Sequence, residues 1–202
     1  MMYFLSIAVA AFGFAWTFAW PQGNFWVKIT ITVLVLCSLA WAHRGAPMKR
    51  EEVTLKEVGI GILGAAVLYG IFWLGDFCAA QVFGFAPKQV EAIYAIRQLG
   101  HPWVVGLILL CVTSPGEEFF WRGYLLRQAM ARWGQGRGLA LGIALYGGVH
   151  IPSGNFMLVM AALVAGIFWC LLYRWRKGNL TACVVSHALW TVGVFLIFPI
   201  RG

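Results

Sequence analysis

Apolar runs of about 20 residues, the length that crosses a bilayer as a helix, recur along the whole chain. Hydrophobic residues make up 61% of its 202 residues and charged residues 11%. A soluble domain carries about 25% charged residues, so this chain is not expected to be one. We therefore predict an all-α, polytopic transmembrane helical bundle that forms a single integral-membrane domain over residues 1–202.

Seven segments are predicted to span the membrane, at about 2–20, 25–42, 58–77, 103–132, 137–151, 155–173 and 179–198. The first ends in Trp20-Pro21 and lacks a basic region before it, so we expect a retained helix rather than a cleaved signal peptide. Residues 86–99 differ, because their apolar positions fall mostly on one face. They predict a short amphipathic helix on the outer surface, which either connects two spans or gates the bundle.

The distribution of basic residues predicts the orientation. Ten basic residues would lie on one side and four on the other: Arg44, Lys49, Arg50, Lys56, Arg127, Arg132, Arg137, Arg174, Arg176 and Lys177 against Lys28, Lys88, Arg97 and Arg201. The richer side is expected to be cytoplasmic, which places the N-terminus inside and the C-terminus outside. The net charge of +8 thus comes from basic residues in the loops. The sequence has no basic stripe with interleaved aromatic residues, the pattern that would favour nucleic-acid binding.

Few ionisable residues remain inside the predicted spans: Glu117, Glu118, Arg122, His150 and His187. Such residues cost roughly 2.5–3.5 kcal/mol each on insertion scales and therefore mark functional sites. At a helical rise of about 1.5 Å per residue, Glu117, His150 and His187 lie roughly 22, 20 and 15 Å from the basic residues that flank their segments. Three segments thus place polar groups at similar depth, which predicts one buried polar site.

The stretch SPGEEFFWRGYLL, residues 114–126, carries three of these residues. Ser114 and Pro115 have the form of a helix start, with Glu117 as the third residue of a capping box. Alternatively, Pro115 only kinks a continuous helix. Glu118 and Arg122 are spaced i, i+4 and are expected to pair, which leaves Glu117 free to act as a general base.

The two histidines have informative neighbours. Gly147 and Gly148 precede His150 and would let a neighbouring helix approach closely. Thr191 follows His187 by one helical turn, so both polar side chains are expected on one helical face. Asn155 is expected to cap the next helix rather than to take part in chemistry.

Three motifs in this chain resemble those of the CPBP intramembrane proteases, also called the CAAX-protease/bacteriocin-processing or Abi family. Glu117-Glu118-x-x-x-Arg122 resembles the family's EExxxR, Tyr146-x-x-x-His150 its FxxxH, and His187-x-x-x-Thr191 its HxxxN. Their order is also that of the family. Tyr146 in place of Phe is expected to change little, whereas Thr191 in place of Asn has one hydrogen-bond donor where the amide has two.

The resemblance implies an intramembrane protease whose catalytic core covers about residues 103–198. It implies that Glu117 and His150 orient the attacking water, and that His187 and, less directly, Thr191 stabilise the oxyanion. Glu118 and Arg122 would be supporting residues. Substrates in the family are prenylated CaaX tails, leader peptides or C-terminal sorting segments, so the expected partners are the lipid bilayer and a membrane-anchored protein or peptide. The chain's small size favours a bacterial inner (plasma) membrane.

Two questions stay open at the level of sequence. Glu117, His150 and His187 also form the His₂Glu set that binds a divalent metal such as zinc, but no HExxH motif is present to decide between metal-dependent and metal-free hydrolysis. The alternatives to a protease are a small proton-coupled membrane transporter and a catalytically silent chaperone or immunity protein of the same fold. A transporter predicts polar groups spaced along a path through the membrane, with repeat symmetry that this sequence lacks.

Overall fold

The computed structural model describes residues 2–43 and 50–201, and these contain helices and connecting turns but no strand. The predicted all-α class is confirmed for this part of the chain. Of the ten basic residues assigned to the cytoplasmic side, Arg44 and Lys49 lie outside the described residues, and Arg50 is described only by its backbone.

The helices are α1 (Met2–Ala19), α2 (Phe25–Ala42), α3 (Leu55–Val82), α4 (Ala86–Ala95), α5 (Pro102–Ile108), α6 (Ser114–Glu118), α7 (Arg127–Gly148), α8 (Phe156–Trp175) and α9 (Thr181–Val192). Turns of π-helix at Leu109–Thr113, Phe119–Leu126 and Gly193–Ile197 continue α5, α6 and α9.

Among the described residues, five stretches are long and apolar enough to cross a membrane: Met2–Ala19, Phe25–Ala42, Leu55–Val82, Pro102–Ser153 and Phe156–Trp175. Thr181–Ile197 is a shorter apolar helix. The chain is an integral membrane protein.

The 52-residue stretch Pro102–Ser153 reverses direction at Gly134, whose φ of 81° is left-handed. A Cβ on Gly138 would lie 2.4 Å from Cα of Met130, and one on Gly142 would lie 2.7 Å from Cδ1 of Leu126. Residues on the two sides of the turn therefore pair in antiparallel register. This hairpin contains both predicted segments, 103–132 and 137–151, and brings the end of α7 back towards α6.

The predicted helix start at Ser114 is wrong. Ser114 has helical backbone angles (φ −63°, ψ −48°), and the helix runs through Pro115 without interruption. Proline cannot donate a backbone hydrogen bond, and the π-helical turn directly before it changes the pairing of the backbone groups at this point. Glu117 therefore does not close a capping box.

Small residues bring the helices close around this stretch. A Cβ on Gly116 would lie 2.3 Å from Cγ1 of Val33, so α2 packs directly against the turn that carries Glu117. A Cβ on Gly147 would lie 2.3 Å from Cδ2 of Leu163 in α8, whereas Gly148 has open space beside it. Of the two predicted close-contact glycines, only Gly147 is confirmed in that role.

Polar contacts join the helix ends. Oδ1 of Asn155 accepts a hydrogen bond from the backbone N–H of Leu158 at 2.9 Å, which confirms the predicted cap of α8. The segment 86–99 is helical as predicted, and the carbonyl of Gln89 accepts a hydrogen bond from Nδ2 of Asn155. At the other end of α8, Arg176 donates to the carboxylate of Glu57, and this hydrogen bonding raises the pKa of the guanidinium.

Candidate active site

Glu118, Arg122 and His187 form a buried polar cluster. Oε1 of Glu118 accepts hydrogen bonds from Nη1 of Arg122 at 2.9 Å and from Nδ1 of His187 at 2.7 Å. Glu118 and Arg122 are 0% exposed and His187 is 6% exposed. The predicted i, i+4 pair is confirmed. The Glu118 carboxylate also binds His187 of α9, so the EExxxR-like motif and the HxxxN-like motif are in direct contact.

The guanidinium of Arg122 is covered by two aromatic rings. Its Cζ lies 4.3 Å from the ring centroid of Tyr146 and 5.3 Å from that of Trp169. Nε and Nη2 of Arg122 have no hydrogen-bond partner among the described residues. Cation–π contacts therefore supply part of the stabilisation of this charge.

Trp169 of α8 also fixes the orientation of His187. The indole and the imidazole stack with centroids 3.8 Å apart and planes inclined by 20°. Because Nδ1 of His187 is bound to Glu118, Nε2 is the ring nitrogen left for a ligand. The imidazole is held by one hydrogen bond and one stacked ring, which preorganises its second nitrogen.

Glu117 lies beside this cluster but has a different partner. Its Oε2 accepts a hydrogen bond from the hydroxyl of Tyr146 at 3.1 Å. His150 lies in the turn that follows α7, four residues after Tyr146, and its Nδ1 is 2.9 Å from the backbone carbonyl oxygen of Tyr146. A carbonyl can only accept, so Nδ1 carries a proton, and in the neutral imidazole Nε2 of His150 then keeps a lone pair.

A single cavity of about 190 Å³ connects these groups. Its lining includes Glu117, His150, His187 and Thr191, which come from three separate stretches of the chain. Tyr146 lines it as well, whereas Glu118 and Arg122 lie behind the lining. The structure thus brings four of the six predicted site residues to one space, with the other two in supporting contact.

The rest of the cavity wall is mainly apolar. Phe14 and Phe18 of α1 pack against the ring of His150, with centroids 5.2 and 5.5 Å away. Ile93 and Ile96 of the segment 86–99 also line the cavity. An apolar wall suits a hydrophobic peptide segment and limits access of bulk water.

Three cavity-lining side chains have a buried polar atom that lacks a hydrogen-bond partner among the described residues. These atoms are Oγ of Ser114, Nε1 of Trp190 and Oγ1 of Thr191. Buried polar groups are nearly always paired in folded proteins. Water or a bound peptide in the cavity would satisfy them.

Sequence reasoning missed several residues of this site. Tyr146 was expected to behave as a phenylalanine, but its hydroxyl contacts Glu117. Trp169, Ser114 and Trp190 were not predicted as part of the site. A buried tyrosine hydroxyl usually has a hydrogen-bond partner, so tyrosine in place of phenylalanine in the motif could have predicted a polar contact at this position. A tryptophan in an apolar run gives no such indication of a role in the site.

The ligand set of the metal-dependent hypothesis does not form a metal centre as arranged. Across residues 2–43 and 50–201, no group of three His, Cys, Asp or Glu side chains is placed to hold a metal ion. Glu117 is instead engaged by a tyrosine hydroxyl.

Part of the chain is similar to a known protein family. Residues 99–193 match the family model described as type II CAAX prenyl endopeptidase, Rce1-like. This segment is similar to the Rce1-like CAAX protease family. The match confirms the family that the three motifs predicted. No curated protein and no solved structure matches the chain.

The Rce1-like segment is just under half of the chain and contains all three motifs. It includes α6 with Glu117, the turn after α7 with His150, and α9 with His187, whereas α1, α2 and α3 lie outside it. The family that this segment matches is described as one of prenyl endopeptidases.

Proposed function

We propose that this protein is an intramembrane endopeptidase that hydrolyses a peptide bond near the C-terminus or membrane anchor of a membrane-associated protein or peptide. The observation that supports this most directly is the shared cavity of Glu117, His150, His187 and Thr191 inside an Rce1-like segment. Clustering in one cavity also favours a protease over a transporter, for which polar groups would follow a path across the membrane.

In the proposed reaction, a water molecule lies between Glu117 and Nε2 of His150 and donates one hydrogen bond to each. Glu117 takes a proton as general base while the water oxygen adds to the carbonyl carbon of the scissile bond. His150 is suited to hold the water because its Nδ1 proton is committed to a backbone carbonyl.

The addition leaves a negative charge on the former carbonyl oxygen. An imidazolium at His187 donates from Nδ1 to Glu118 and from Nε2 to this oxyanion, and the hydroxyl of Thr191 donates a second hydrogen bond. Collapse of the intermediate breaks the C–N bond and leaves the second water proton on the new carboxylic acid, which passes it to the amine, so that the released pair is a carboxylate and an ammonium. Glu117 returns its proton to the departing nitrogen during this collapse, and the enzyme regains its initial state.

The proposal includes a topology. The N-terminus faces the cytoplasm of a bacterial inner membrane, the seven predicted segments form the bundle, and about residues 103–198 are the catalytic core of a single domain. A reporter enzyme that is active only in the cytoplasm, fused before Met1, tests the orientation. Activity of that fusion is expected, and its absence would reverse the assigned sides.

Comparison of wild type with Glu117→Gln tests the activity. Both proteins are purified in detergent and incubated with a farnesylated CaaX peptide and with membrane proteins of the expression host, and new termini are identified by mass spectrometry. Wild type is expected to generate new C-termini. Glu117→Gln is expected to be about 10²–10⁴-fold slower, because it lacks the general base.

A matched control is Glu51→Gln, which neutralises an exposed carboxylate outside the cavity. It is expected to retain wild-type activity. Equal product formation by wild type and Glu117→Gln, or no product from wild type, would remove the enzyme assignment and leave the silent chaperone or immunity protein.

A further inference from the structure

Tyr146 contacts three of the residues assigned to the site. Its hydroxyl donates to Oε2 of Glu117 at 3.1 Å, its ring lies 4.3 Å from Cζ of Arg122, and its carbonyl accepts from Nδ1 of His150. A phenylalanine could supply the second and third contacts. Only the contact with Glu117 requires the hydroxyl.

We propose that Tyr146 is a positioning residue that orients the Glu117 carboxylate through this hydrogen bond; the inference rests on the proposed function. The glutamate side chain has three rotatable bonds and would otherwise sample several rotamers in the cavity. With Oε2 held by Tyr146, Oε1 is the oxygen that takes the proton of the attacking water. An error of about 1 Å in such a position can cost about 10²-fold in rate.

The phenol ring is itself held firmly, which gives the hydroxyl a defined position. Tyr146 is 4% exposed. It packs edge-to-face on Trp121, with centroids 5.4 Å apart, and a Cβ on Gly166 would lie only 3.0 Å from its Cδ1. Trp169 contacts the ring from a third side, at 6.4 Å between centroids.

Glu117 relies on Tyr146 for its orientation because the nearby guanidinium of Arg122 is paired with Glu118 instead. Arg122 directs Nη1 to Glu118, and its Cζ lies over the ring of Tyr146. Among the described residues, Tyr146 is the side chain that donates to Glu117. In the family motif FxxxH this position is a phenylalanine, so the orienting hydroxyl is a property of this chain and not of the motif.

The test compares Tyr146→Phe with wild type. The variant keeps the aromatic ring, its contact with the Arg122 guanidinium and the backbone carbonyl that binds His150. It also restores the phenylalanine of the FxxxH motif. The matched control is Tyr124→Phe, which removes another buried hydroxyl: Tyr124 is 1% exposed, and its oxygen lies 3.3 Å from Oγ of Ser6, outside the catalytic cavity. Both variants and Glu117→Gln are assayed on the peptide that wild type cleaves, with kcat and KM measured separately and thermal unfolding recorded.

Tyr146→Phe is expected to lower kcat about 10–100-fold while KM stays within about twofold, because the base is misplaced but the apolar binding wall is intact. Tyr124→Phe is expected to keep kcat within about twofold, with a shift in melting temperature similar to that of Tyr146→Phe. A kcat equal to wild type in Tyr146→Phe, a change in KM alone, or an equal loss of kcat in Tyr124→Phe would overturn the inference.

Failure of the proposed function gives a different pattern. If Glu117→Gln cleaves as fast as wild type, or wild type cleaves nothing, then no general base is present to be oriented and both proposals fall. If Glu117→Gln is inactive and Tyr146→Phe is fully active, the protease assignment stands and only the role of Tyr146 is wrong.

Discussion

The carboxylate of Glu118 lies 2.7 Å from Nδ1 of His187, although the two residues are 69 positions apart in the sequence. The same oxygen accepts from Arg122, so one buried carboxylate joins the EExxxR-like and HxxxN-like motifs. The family motifs alone describe Glu118 as a neighbour of the base. In the folded protein it is the residue that holds the second histidine.

Removal of the Glu118 carboxylate should therefore destabilise the protein strongly. Glu118→Ala leaves the 0% exposed guanidinium of Arg122 without its ion-pair partner and is expected to lower the unfolding free energy by about 3–5 kcal/mol. Thermal unfolding in detergent measures the effect. Asp76→Asn serves as the comparison, since it breaks an ion pair with Arg201, whose side chain is 27% exposed. Such a pair contributes about 0–1 kcal/mol to stability. Equal melting temperatures for the two variants would contradict the prediction.

Thr191 provides a test of the oxyanion assignment that changes few atoms. Its Oγ1 has no hydrogen-bond partner among the described residues and the residue lines the cavity, so Thr191→Val removes only the donor. We expect kcat to fall about 10²–10³-fold, as for loss of one oxyanion donor. Thr191→Asn, which restores the residue of the family motif, is expected to retain activity. Full activity of the valine variant would assign the oxyanion to other donors.

Gly147 and Gly148 form a matched pair for helix packing beside His150. Gly147→Ala introduces a Cβ 2.3 Å from Cδ2 of Leu163, whereas a Cβ at Gly148 meets nothing within 4 Å. The first substitution is expected to cost about 1–3 kcal/mol of stability through overpacking and to reduce activity, while the second leaves both nearly unchanged. Melting temperatures and cleavage rates of the two variants check this. Equal behaviour would show that α7 and α8 do not pack as described.

Chelation distinguishes the two hydrolytic mechanisms. Because the described residues contain no three-residue group placed to hold a metal ion, we expect cleavage to continue after dialysis against a strong chelator such as EDTA. The rate is measured before and after dialysis and after addition of zinc. Loss of activity that zinc restores would mean that Glu117, His150 and His187 rearrange to bind a metal.

Local features of the site could be predicted because the interacting residues are close in sequence. Glu118 and Arg122 are one helical turn apart, and Asn155 caps a helix that begins at the next residue. Regular helix geometry specifies such contacts without knowledge of the rest of the fold. The helix start predicted at Ser114 was wrong because a π-helical turn lets the helix continue past Pro115. The serine–proline pattern is the same whether a helix starts there or continues.

The sequence by itself determined that this chain is an integral membrane protein, where its apolar helices lie, and which buried polar residues carry the family pattern. Only the tertiary structure decided that Tyr146 donates to Glu117, that Glu118 holds His187, and that aromatic side chains of α1 enclose His150. The physical reason is distance along the chain. Hydropathy and helical spacing are properties of neighbouring residues, whereas these contacts depend on how closely small residues such as Gly116 and Gly147 let separate helices approach.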